Sequence, residues 1–89
     1  MIDVQTAVKA SFDFLHSVYN SKDLFDVRIE EAELSEDSQY WFITLGFTHG
    51  MHDTAFQAPH EKATHQRELK KFRINANTGN VLAMEIRPL

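Results

Sequence analysis

The chain has 89 residues, of which 43% are hydrophobic and 25% are charged, a composition typical of one ordinary globular domain spanning residues 1–89. The formal net charge of −4 argues against a broad electropositive surface, so nucleic acid is not an expected partner. The absence of cysteine excludes disulfides and thiolate metal sites, and a chain this short has little room for a deep substrate cavity, so we expect no enzyme and no cofactor.

The first segment is predicted to be an amphipathic helix. Its apolar residues recur at steps of three and four, which places on one face Val4, Ala7, Val8, Phe12, Leu15, Val18 and Tyr19. Asp3 is placed to cap the start of this helix, and residues 20–23 look like its exit. Residues 1–5 lack the basic and apolar regions of a signal peptide, and no stretch is long enough to span a membrane. A cytoplasmic protein with no membrane contact is therefore expected.

After the helix the hydrophobic period changes to two, which predicts strands. Residues 27–34 alternate with a slip in phase near Glu30 and Glu31, and this slip indicates a β-bulge. Residues 40–48 give the strongest strand signal in the chain, with one apolar face formed by Trp41, Ile43, Leu45 and Phe47. Two further strands are predicted at 68–75 and 81–87, joined by a turn in which Gly79 supplies a positive φ.

The short connections favour antiparallel neighbours in sequence order. The predicted fold class is therefore α+β, with the N-terminal helix packed on a four-stranded antiparallel meander sheet of the cystatin-like kind. The helix is expected to cover the face that carries Trp41, Ile43, Leu45, Phe72, Ile74, Leu82 and Met84. Residues 49–65 have no clear period and are predicted to form a long connection between the second and third strands.

The last two predicted strands resemble the hairpin of PepSY-type domains. The similarity rests on residues 71–75 followed by Thr78, Gly79, Asn80 and Val81, in which a strand ends in a polar residue, a Thr-Gly turn follows, and an apolar strand begins with valine. The resemblance implies a noncatalytic module that contacts a partner protein, often as an inhibitor or regulator, and it brings no catalytic residues. Two features depart from the family pattern: an unusual number of histidines in the connection between the second and third strands, and residues 1–5, which do not resemble an export signal.

The sheet face opposite the helix is the candidate site for a protein partner. Alternation sends Tyr40, Phe42 and Thr44 to this face, and exposed aromatic patches commonly mark interfaces. Glu31, in the acidic first strand, and Lys71, in the basic third strand, are candidates for orienting the partner. A homodimer through the same face, or cover by the connection at residues 49–65, is compatible with the pattern.

Two other functions remain open from the sequence. His49, His52, His60 and His65 lie within one connection, and neutral imidazole is a good ligand for zinc, copper or nickel, so this segment could bind a metal or small ligand. A solvated polar loop is the simpler interpretation, because the spacing is not that of a helical ligand pair. The third alternative is a toxin-neutralising immunity protein, a class with similarly small acidic domains.

Overall fold

The structure, a computed structural model, describes residues 1–49 and 67–88, which form one helix, a short 3₁₀ turn and one sheet. The sheet has four antiparallel strands in the order β1-β2-β3-β4. The elements in chain order are α1 (Val4–Val18), the 3₁₀ turn (Ser21–Asp23), β1 (Leu24–Leu34), β2 (Tyr40–His49), β3 (Arg67–Asn75) and β4 (Val81–Arg87). The predicted fold, a helix packed on a four-stranded antiparallel meander, is confirmed. The predicted connection at residues 49–65 lies, apart from His49 at the end of β2, outside the described residues.

A side-chain cap begins α1, and a second side-chain cap begins the 3₁₀ turn that follows it. The Asp3 carboxylate accepts a hydrogen bond of 2.8 Å from the backbone N–H of Thr6, as the sequence predicts for an N-cap. The helix ends where Tyr19 leaves helical geometry, and Asn20 then caps the 3₁₀ turn by accepting from the backbone N–H of Lys22. These caps satisfy backbone groups that have no partner within the helix itself.

The core lies between α1 and one face of the sheet. Its fully buried large side chains come from all three central elements, namely Leu15, Ile43, Leu45, Phe47, Phe72 and Ile74. Phe14, at the border of the helical apolar face, packs edge-on against Phe72 with ring centroids 6.2 Å apart. Burial of Ile43, Leu45 and Phe47 confirms the predicted inward face of the second strand.

Ile2 joins the N-terminal residues to the sheet through its backbone N–H and its carbonyl. Ile2 donates its N–H to the carbonyl of Ala76 at 2.7 Å, and its own carbonyl accepts the indole N–H of Trp41 at 3.1 Å. Its side chain lies beside Gly79, whose φ of 80° confirms the predicted turn. The start of α1 is therefore fixed to the β3–β4 hairpin before the helix begins.

Strand β1 is more irregular than its hydrophobic pattern predicts. The expected bulge is present between Ile29 and Glu31, and a second shift in register occurs between Phe25 and Arg28. Asp26, within this second irregularity, has a φ of 55°. A left-handed conformation is uncommon for a residue other than glycine but tolerated by aspartate, which can bond its own backbone region.

The predicted placement of Leu82 in the core is wrong, and Val4 and Val18, predicted on the apolar face of the helix, are also exposed. Leu82 was expected under the helix, but it is 47% exposed, while its neighbour Val81 packs against the core instead. The cause is a shift in register between β3 and β4, where Ile74 pairs with Val81 and Arg73 pairs with Ala83. The extra residue in β4 shifts the inward and outward alternation of its side chains by one position. The sequence pattern of β4 alone does not reveal this shift, because it depends on how the strand pairs with β3.

Among residues 1–49 and 67–88, we find no helix with the length and apolar character needed to cross a membrane.

Candidate protein-binding face

The sheet side that faces away from α1, here called the open face, is built by strand alternation and register. In β2 it carries Tyr40, Phe42, Thr44, Gly46 and Thr48, the residues that alternate with the buried set. In β3 the residues directly opposite are Arg73 for Phe42, Lys71 for Thr44 and Arg67 for Thr48. The open face therefore combines two aromatic rings from β2 with a row of cations from β3.

Tyr40 and Phe42 form the aromatic end of the open face. Their ring centroids are 6.4 Å apart, and both side chains are only partly buried. The Lys71 ammonium lies 4.7 Å from the centre of the Phe42 ring, and the Arg73 guanidinium lies 5.4 Å from the centre of the Tyr40 ring. Both distances are within the range of cation–π attraction. The chain's own cations thus cover part of each ring.

A shallow concavity of about 400 Å³ lies beside this aromatic end. Tyr40, Phe42 and Lys71 form one of its sides. The other side is formed by the end of β1 and the following turn, and it carries the carboxylates of Glu33, Glu36 and Asp37. The concavity therefore offers apolar rings on one wall and negative charge on the other.

The turn that carries the acidic wall is held by a compact set of hydrogen bonds. The Ser35 hydroxyl donates to Asp37 at 2.7 Å and accepts the backbone N–H groups of Gln39 and Tyr40 at 3.1 and 3.0 Å. The Ser35 hydroxyl, followed by the Gln39 backbone N–H, lowers the pKa of the Asp37 carboxyl below its usual value. Asp37 therefore stays ionised at neutral pH and in mild acid.

The middle of the open face is crossed by an ion pair between the two outermost strands. Glu31 in β1 and Arg87 in β4 approach to 2.6 Å, although β2 and β3 lie between them. The Thr44 hydroxyl is 3.5 Å from the same carboxylate, and Thr44 is only 1% exposed. The two long side chains must lie across the sheet to meet, and a buried Thr44 beneath them fits this arrangement.

A second ion pair crosses β2 near the other end of the open face. Arg67 in β3 binds Glu30 in β1 at 2.8 Å and also donates to the backbone carbonyl of Asp26 at 3.0 Å. A β-carbon at Gly46 would lie 2.5 Å from the Glu30 carboxylate, so only glycine leaves room for this bridge. Arg28 holds Asp26 from the other side through two bonds of 2.8 and 2.7 Å and lowers the pKa of its carboxyl.

The structure brings together some of the predicted contact residues and separates others. Tyr40, Phe42 and Lys71 form one surface at the aromatic end, whereas Glu31 is engaged by Arg87. Thr44 is buried, so it cannot touch a partner unless the side chains above it move, and we leave it out of the proposed contact surface. The sequence analysis missed the crossing ion pairs. A glycine inside the strongest strand often marks a close approach, and Gly46 was the available signal.

Most of the predicted histidine site lies outside the described residues. His52, His60 and His65 are not among the described residues, and His49 is described only as the last residue of β2. In the described segments, no group of three or more histidine or acidic side chains is arranged to hold a metal ion. The metal-binding alternative therefore stays a prediction.

Comparisons of the chain with protein families, with curated proteins and with solved structures found no match. The resemblance to PepSY-type domains stays a prediction from the hairpin sequence.

Proposed function

We propose that this chain is a small, noncatalytic, cytoplasmic module that binds a partner protein through the aromatic end of its open face. The observation that carries the proposal is the pair Tyr40 and Phe42, which lie side by side on the sheet face that α1 does not cover. Aromatic side chains at a partly exposed position provide large contact area with few rotamers to fix, and they are enriched at protein interfaces. The PepSY resemblance points to the same class of function.

The negative charge on one wall of the concavity favours a partner segment that carries lysine or arginine beside an apolar side chain. Such a segment would place its apolar group on Phe42 and its cation next to Glu33, Glu36 and Asp37. Complementary charge of this kind mainly orients a partner and speeds the encounter, while the buried aromatic contact supplies most of the affinity. Binding through this surface should therefore slow at high salt without being abolished.

Affinity purification from the native cell tests the proposal with a matched pair of variants. Phe42→Asp introduces a charge at the aromatic end, and Phe25→Asp makes the same change at a phenylalanine 49% exposed, opposite Thr48 at the far end of the sheet. We expect a partner that is captured by the wild type and by Phe25→Asp but lost with Phe42→Asp, followed by direct binding of the purified partner with the same ranking. Equal capture by all three proteins would place recognition elsewhere on the chain.

A further inference from the structure

The two edge strands of the sheet differ in how well they could accept another strand. β1 is interrupted by two shifts in register and by the left-handed Asp26, and it carries three carboxylates within residues 30–33. Irregular backbone and like charges of this kind are means by which edge strands avoid further pairing. β4 pairs with β3 without interruption over residues 83–87, and within the described residues it has a neighbour on one side only. β4 is therefore the edge suited to pairing.

The regular part of β4 presents different side chains on the two sides of the sheet. Ile86 lies on the side that faces α1, in alternation with Met84, and it is 79% exposed because no strand follows it among the described residues. Glu85 lies on the open face, opposite Lys71, and it is also exposed. An incoming strand would therefore meet an apolar side chain on one side of the sheet and a carboxylate on the other.

The cations nearest to the Glu85 carboxylate are engaged elsewhere. Arg87, the only cation of β4, reaches away from the edge to its ion pair with Glu31. The Lys71 ammonium lies over the Phe42 ring of β2 instead of beside Glu85. In the part of the chain that the structure describes, Glu85 has no hydrogen bond or ion pair of its own. The β4 edge therefore keeps one carboxylate without a counter-charge.

A second copy of the chain fits this edge poorly. A two-fold axis at Glu85 would place two carboxylates directly opposite each other. An axis at Ile86 would pair Met84 with Pro88, which has no N–H to donate. An axis at Met84 would set Ile86 against Leu82, the residue left unpaired by the register shift between β3 and β4. The edge therefore suits a strand of a different sequence.

We propose that β4 accepts an extended segment of a partner protein as a fifth strand, with a lysine or arginine of that segment opposite Glu85 and an apolar residue opposite Ile86. In this mode of recognition backbone hydrogen bonds supply affinity, and the alternating side chains supply specificity. Opposite charges directly across a strand pair are stabilising, whereas like charges are destabilising. The segment therefore carries a basic residue next to an apolar one.

This strand-accepting edge is separate from the aromatic end. It uses the backbone of the outermost strand, whereas Tyr40 and Phe42 lie on β2. Either surface could bind its target if the other did not. The proposal therefore goes beyond the proposed function and can be tested without the native partner.

Hydrogen exchange of the free protein tests whether the edge is available. In a strand with one neighbour, alternate N–H groups point away from that neighbour and are open to water. Within residues 83–87, the amides that point away from β3 should exchange quickly, and the amides that point toward β3 should exchange slowly. Uniformly slow exchange along these residues would overturn the proposal, because it would show an edge that is already paired.

A pair of short synthetic peptides tests the chemistry of the segment. In both peptides valine alternates with a polar residue, and the central polar residue is lysine in one and glutamate in the other. The lysine peptide should slow exchange at the outward amides of β4 and should bind about fivefold more tightly than the glutamate peptide. The lysine peptide with methylated backbone nitrogens should not bind, because strand pairing needs its N–H donors.

Matched variants of the protein identify the carboxylate that sets this preference. Glu85→Lys should make the glutamate peptide the tighter ligand. Glu33→Lys makes the same change of charge on β1 and should leave the order unchanged, and Phe42→Asp should bind both peptides as the wild type does. Far-ultraviolet circular dichroism shows whether each variant is folded.

Several results would overturn the proposal. They are the absence of binding by the lysine peptide, equal binding of the two peptides, or an order that Glu85→Lys leaves unchanged. Protection of the outward amides that increases with protein concentration would assign the edge to a second copy and would equally contradict the proposal.

Discussion

Nη1 of Arg87 lies 2.6 Å from Oε1 of Glu31, and this ion pair joins the two outermost strands of the sheet across the open face. Glu31 is 54% exposed and Arg87 is 38% exposed at their side chains, so water screens the attraction. An exposed pair of this kind contributes about 0–1 kcal/mol to the free energy of unfolding. Its position matters more than its energy, because it separates the aromatic end of the open face from the rest.

A double-mutant cycle with Glu31→Gln and Arg87→Gln, followed by urea unfolding, should give a coupling free energy between the two side chains of at most about 1 kcal/mol. The coupling should fall further when the salt concentration is raised from 0.05 to about 1 M, since the Debye length then shrinks to about 3 Å. A coupling above about 2 kcal/mol that is insensitive to salt would contradict the assignment of this pair as solvent-screened.

Gly46→Ala should destabilise the protein by roughly 1 kcal/mol. The added β-carbon would meet the Glu30 and Arg67 side chains, which can swing away, so the main loss is their ion pair and the bond from Arg67 to the Asp26 carbonyl. In a Glu30→Ala background the same substitution should cost less or become stabilising, because alanine is otherwise preferred to glycine in a strand. Urea midpoints of the four proteins check this, and equal costs in both backgrounds would exclude the crossing ion pair as the cause.

Trp41→Phe should lower the free energy of unfolding by about 1–3 kcal/mol. The substitution keeps an aromatic ring at the edge of the core but leaves the Ile2 carbonyl without the indole donor. Guanidinium unfolding followed by circular dichroism gives the change, since the only tryptophan is lost. In the variant, hydrogen exchange at the Ile2 amide should also accelerate, because its bond to Ala76 belongs to the same anchor. An unchanged exchange rate would show that the bond from Ile2 to Ala76 does not depend on the bond from Trp41 to Ile2.

Asp3 should make stability depend on pH in the acid range. Hydrogen bonds from the Thr6 side chain, followed by its backbone N–H, lower the pKa of the Asp3 carboxyl below 3.8. Because the folded pKa is below the unfolded one, this contribution is present above about pH 3.8 and is lost as the pH falls through the folded pKa. Asp3→Asn keeps a good N-cap without the charge, so its urea midpoint should match the wild type at pH 7 and vary less between pH 4 and 2. If the urea midpoints of the two proteins fell equally between pH 4 and 2, Asp3 would not be the cause of the pH dependence.

The sequence predicted those features of the fold that depend on the hydrophobic period of a single helix or strand. The helix, its Asp3 cap and the buried face of β2 follow from spacing within a single segment, and the structure confirms them. Features that depend on how two strands align were not predictable in this way. The shift that exposes Leu82 and the bridge from Glu31 to Arg87 both depend on register and on side chains that cross neighbouring strands. The aromatic end could be predicted, but not the cations that cover it.

A partner that binds the aromatic end must displace these cations from the two rings. The Lys71 ammonium already occupies one side of the Phe42 ring, and Arg73 does the same for Tyr40. A ligand group that settles on either ring has to displace a side chain that is itself attracted there, so affinity reflects only the difference between the two contacts. The substitution Lys71→Ala would therefore uncover the Phe42 ring. It should tighten binding of a cationic partner, even though it removes a residue from the contact surface.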